Sequence, residues 1–163
     1  MSSRFGRVTV GLAATALIVP TLAFAARGGG DTHGDGPTFT LNAVEIVDEF
    51  LDLGATGLTS GDQVIFANAV SRNDRPAGIA GGSCTVTTVD ANNTFTASCQ
   101  ATARLRGGQI TTQALVTFRE GLQAPFTLAI TGGTGRYSGA DGEVEVRQTS
   151  DTTEDYIVRL DRR

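Results

Sequence analysis

From Thr38 onward apolar and polar residues alternate with a period of two, the mark of half-buried strands, and no segment sustains the period of an amphipathic helix. The clearest run is Thr94–Leu105, where Phe95, Ala97, Cys99, Ala101, Ala103 and Leu105 fall on one face and Thr94, Thr96, Ser98, Gln100, Thr102 and Arg104 on the other. Gln109–Phe118 repeats the arrangement, with Ile110, Ala114, Val116 and Phe118 opposed to Gln109, Thr111, Gln113 and Thr117. Further runs centre on Phe126/Leu128/Ile130, Val144/Val146 and Tyr156/Val158/Leu160, and earlier ones span Thr38–Val47, Gln63–Ser71 and Ile79–Val89. These predict eight strands joined by loops rich in Gly, Asp and Asn. Many short strands with one polar and one apolar face make a sandwich or a closed barrel. An eight-stranded antiparallel barrel is the better expectation, because closure removes the open edges that a sheet rich in Thr and Val otherwise presents. The expected domain is all-β and spans residues 38–163.

The first residues do not continue this pattern. Arg4 and Arg7 precede an apolar run from Val8, broken by Pro20 and followed by Ala23-Phe-Ala25, which reads as a secretory signal over residues 1–25. Residues 26–37 hold Gly, Asp and the single His33 but nothing bulky and apolar after Ala26, so they predict a flexible Gly-rich linker. The expectation is a secreted, extracellular protein without stable membrane insertion after cleavage. With His33 in the linker, His-dependent catalysis is disfavoured. A net charge of −4 without a basic block argues against nucleic acid as a partner. One His and two Cys exclude a Cys- or His-rich metal centre, and no cofactor or metal is expected.

The two cysteines bear on the register. If Val89 faces Thr94 across the turn Asp90–Asn93, stepping back five pairs sets Cys84 opposite Cys99 on one face. In an exported chain such a pair oxidises to a disulfide; the alternative is two free buried thiols. Asn92-Asn93-Thr94 in the same turn is an N-glycosylation sequon.

Chemistry inside a small barrel requires polar groups on the apolar faces. Phe39, Leu41, Ala43, Glu45 and Val47 share one face of the first strand; Val64, Phe66, Asn68 and Val70 share one on the second. Glu45 and Asn68 are therefore the candidate catalytic residues, a carboxylate in an oily lumen and an amide that orients it or a ligand oxygen. Phe66 stands beside Asn68 as a ligand contact. In the opposite phase Val44 and Ile46 face inward and Glu45 lies in solvent. The string Ile130-Thr-Gly-Gly-Thr-Gly-Arg136-Tyr137-Ser-Gly-Ala140 lacks the third Gly of a dinucleotide loop and is followed by a strand, so it predicts a tight connection rather than a phosphate site. Arg136 and Tyr137 either line the barrel mouth, as ligand contacts, or pack on the barrel.

Gly61-Asp62, Gly81-Gly-Ser-Cys84, Gly108-Gln-Ile-Thr and Ala129-Ile-Thr-Gly-Gly-Thr-Gly-Arg-Tyr-Ser-Gly-Ala140, in this order, resemble the allene oxide cyclase barrel-like domain, related to plant allene oxide cyclases and dirigent proteins. The resemblance covers about Phe39 to Leu160. It implies an eight-stranded barrel with an apolar lumen, often a homotrimer. It also implies lumen positions for a Glu on the first strand, an Asn on the second, a Cys on the third and a Tyr on the fifth. Here these read Glu45, Asn68, Cys84 and Val116, so the Tyr is replaced by a ligand-facing Val116. Dirigent proteins carry Ala-Arg-Gly where this chain has Ala140-Asp141-Gly142. The function expected is a secreted barrel that binds a small apolar molecule in its lumen, as a cofactor-independent isomerase or cyclase. The alternative is a non-catalytic binding or structural module whose barrel Phe39, Phe66, Phe95 and Phe126 fill.

Overall fold

The computed structural model describes residues 35–119 and 123–161. The predicted signal segment and most of the linker, with His33, lie outside the described residues. The strands run β1 (Asp35–Leu51), β2 (Gln63–Arg72), β3 (Arg75–Val89), β4 (Phe95–Leu105), β5 (Gly108–Phe118), β6 (Phe126–Gly133), β7 (Gly142–Ser150) and β8 (Thr153–Asp161). Each is antiparallel to the next, and β8 pairs with β1 to close the barrel. The predicted eight-stranded antiparallel barrel is the observed fold. Strand ends differ most at β1, which begins at Asp35, inside the expected linker, and continues to Leu51.

The length of β1 comes with a bulge. Glu45 pairs with Asn68 and Val47 with Ala67, so Ile46 is an extra residue without a partner on β2. A bulge reverses the inside–outside phase of everything beyond it. Leu41, Ala43 and Glu45 line the lumen before it, Asp48 and Phe50 after it. Val47, expected on the inner face with Glu45, is therefore 41% exposed and lies outside.

The Cys84–Cys99 disulfide is formed. Cys84 pairs with Cys99 as predicted, yet by a different route: Val89 faces Phe95 rather than Thr94, and a bulge at Thr87 restores the register. The turn is one residue longer and the strand holds one residue more, and the two offsets cancel.

One end of the barrel is packed shut by Phe39, Val70, Ile130 and Val158, with Leu105 and Tyr137 against them. The Gly-rich string closes this end, turning β6 into β7 through a short 3-10 helix, Gly135–Tyr137. A side chain at Gly133 would come within 2.4 Å of the Tyr137 carbonyl oxygen and 2.5 Å of that of Gln109, and Gly135 sits at φ +59°. These glycines serve a close backbone crossing. At the other end the β1–β2 loop folds around Asp62. Its fully buried carboxylate accepts hydrogen bonds from the backbone N–H of Leu53 (2.9 Å), Gly54 (3.2 Å) and Thr59 (2.6 Å) and from the Thr59 hydroxyl (3.1 Å). This explains the Gly61-Asp62 motif.

Candidate functional site: the barrel lumen

The lumen holds a cavity of about 520 Å³, within the range of small-molecule pockets. The side-chain-filled barrel of the alternative reading is not what the structure shows. The exposed β7–β8 turn, Ser150, Asp151 and Thr152, forms part of the rim, with Asp48 and Phe50 of β1. The rest of the lining is mostly apolar. Phe66, Phe95, Phe118 and Phe126 stand on one side, with Phe95 and Phe118 stacked at 5.0 Å and Phe126 edge-on to Phe118 at 6.1 Å. The disulfide, Leu41, Ala101, Ala103, Leu128 and Val146 complete that wall.

Three polar side chains converge where β1, β2 and β8 meet. The Asn68 amide, buried on β2, donates to the Tyr156 hydroxyl. Tyr156 Oη donates in turn to Glu154 Oε2 at 2.8 Å, and Asn68 Nδ2 lies 3.5 Å from the same oxygen. Burial pushes the Glu154 carboxyl above its ordinary value; the Tyr156 hydrogen bond opposes this, while the charges of Glu45 and Asp48 add to it. Burial, and then the Glu154 charge, hold the Tyr156 phenol far above its ordinary value, so Tyr156 remains a donor at any ordinary pH. The arrangement is a carboxyl poised to hold a proton, oriented by a phenol that is fixed by an amide.

The structure brings Glu45, Asn68 and Phe66 onto the cavity wall. Glu45 is exposed near the mouth, opposite Asn68 across the β1–β2 ladder. Val116 is buried in the second apolar cluster, with Ala97 and the two cysteines, and does not reach the cavity surface. Arg136 and Tyr137 lie at the closed end, away from the mouth: Arg136 is exposed beside Gly107 and Tyr137 packs on the core. They take the packing role of the two left open.

Glu154, Tyr156, Asp48 and Thr112 line the cavity but were not singled out from the sequence. The signal for Glu154 was present: it lies two residues before Tyr156, on the apolar face of the last strand. Asp48 carried none, since the Ile46 bulge alone turns it inward. Among the described residues no group of His, Cys, Asp and Glu is placed to hold a metal ion.

A family model described as the allene oxide cyclase barrel like domain matches residues 43–160. The chain belongs to this family. The allene oxide cyclase-like barrel is similar to a solved structure named pyocyanin demethylase, at 33% identity and a TM-score of 0.69, covering 76% of this chain and 99% of that one. It is also similar in fold to the Diels-Alderase AbmU from Streptomyces koyangensis (14% identity, TM-score 0.61, 79% of this chain and 70% of that one). The pterocarpan synthase dirigent protein PsPTS1 shares the fold as well (14% identity, TM-score 0.57, 78% and 97%). A comparison with curated proteins finds no match.

Proposed function

We propose that the barrel binds a small, mostly apolar molecule in its lumen and moves protons on it with Glu154, catalysing an isomerisation or cyclisation without a cofactor. The observation that carries this reading is the buried Asn68–Tyr156–Glu154 chain on the wall of an otherwise oily cavity. Both contacts to Glu154 fall on Oε2, so Oε1 is left to meet a ligand. A carboxyl whose proton is held more tightly than usual gives it up at one ligand atom and, once ionised, takes one back from another. The ligand leaves with its atoms rearranged and none gained or lost. The apolar wall holds the ligand in a reactive fold while this happens. The Cys84–Cys99 disulfide supports a place outside the reducing cytosol.

The uncharged dye Nile red tests lumen binding. Its emission rises saturably with the native protein, and the rise is lost in Ala101→Trp, which fills the cavity. Emission unchanged by the native protein overturns the reading.

A second reading is demethylation of pyocyanin, in which water takes the N-methyl carbon away as formaldehyde and the phenazine ring keeps the two electrons as its dihydro form; the 33% identity over 99% of the demethylase chain favours it. Incubation with pyocyanin, followed by mass spectrometry for the demethylated product, tests it, with Glu154→Gln as the inactive control.

A further inference from the structure

The geometry points to an organic cation as the lumen's ligand: an aromatic or alkyl body against the Phe-lined wall and a positive end beside the acids of β1, β8 and the β7–β8 turn. This rests on the reading of the lumen as a binding site and names the class of molecule that it takes. Glu45, Asp48, Asp151 and Glu154 all line the cavity, and among the described residues no Arg does. An anion would meet carboxylates from β1, β8 and the β7–β8 turn with no partner for its charge. A cation would relieve the mutual repulsion between Glu154, Glu45 and Asp48.

Two features independent of those carboxylates agree. The wall toward the mouth-side parts of β2, β4, β5 and β6 presents the rings of Phe66, Phe95, Phe118 and Phe126, and aromatic faces attract cations. The charges of the described barrel are also uneven along its axis. Arg72 and Arg75 by the β2–β3 turn, Arg104 and Arg106 by the β4–β5 turn, and Arg136 stand at the closed end, mixed there with Asp74, Asp141 and Asp161. Asp48, Glu49, Asp52, Asp90 and Asp151 gather at the mouth, where Arg119 is the single Arg among the described residues. A field of this shape draws positive molecules to the opening and repels negative ones.

Three ring systems of the same size test it: 1-methylquinolinium, 1-methylnaphthalene and 1-naphthoate, each titrated by its own fluorescence at low salt. The cation is expected to bind about tenfold more tightly than the neutral ring, and the anion more weakly than either, with the preference shrinking as salt rises. The variant Asp48→Asn/Asp151→Asn keeps the neutral ring's affinity and loses most of the preference; Asp74→Asn, at the closed end, changes neither. Equal binding of all three rings, tighter binding of the anion, or a preference untouched by the double variant overturns the charge assignment and leaves the lumen reading intact. Binding of none of the three overturns both.

Discussion

Glu154 and Asp62 are carboxyls of one barrel pushed in opposite directions. Glu154 has lost water and faces two acids, so it holds its proton above the ordinary value of 4.5. In that window the folded chain binds a proton that the unfolded chain has released, and stability falls as pH rises through it. Glu154→Gln is expected to flatten this loss in thermal melts above pH 4.5, and to lower turnover in the proposed reaction by about a hundredfold or more while Nile red still binds. Asp62 is held below its ordinary 3.8, first by the Thr59 backbone N–H, against the pull of burial. Its contribution is whole above the unfolded value and disappears as pH falls through the folded one. Asp62→Asn is expected to lower the melting temperature at pH 7 and to narrow the gap as the pH approaches 3. At this scale the sequence shows that Asn68 faces inward, because the period of β2 is unbroken. It does not show the bond from Asn68 to Tyr156, which joins strands 88 residues apart along the chain.

The elements were legible as far as alternation reports them. Strands such as β4, with a clean period of two, show both their extent and their inner face. Bulges are different, since the residue that drops out of the ladder is selected by the curvature of the closed barrel rather than by local preference. Hence Val47 reads as inward and Asp48 as outward, and both are reversed by Ile46. Deleting Ile46 is expected to turn Asp48 and Phe50 out of the lumen. Carboxyl NMR would then show Glu154 titrating closer to its ordinary value, with Glu45 its remaining acidic neighbour of the two. The disulfide joins β3 to β4 across a separation of 15 residues. Closing such a loop contributes about 3 kcal/mol on the chain-entropy model. Cys84→Ala/Cys99→Ala should therefore cost roughly that much in urea unfolding, and somewhat more if the two side chains leave a void in the wall.

The closed eight-stranded architecture follows from strand number and amphipathicity, both written in the chain. Whether its interior is filled or hollow is not, because that depends on how far each side chain reaches once tilt and bulges set its height. Phe66, Phe95 and Phe126 are large enough to fill a barrel, yet they stand along its wall and leave about 520 Å³ between them and β8. The same assembly gathers acids at the mouth and leaves both signs mixed at the closed end, a difference invisible along a chain where the two are interspersed. The plug made by Phe39, Val70 and Ile130 has a kinetic consequence. With one doorway among the described residues, a product of the proposed reaction departs by the path that its precursor must use, so a lingering product keeps the next molecule waiting outside. Added product should raise the apparent KM without lowering the limiting rate, and slow departure, rather than chemistry, should set the pace when the product is the greasier of the two.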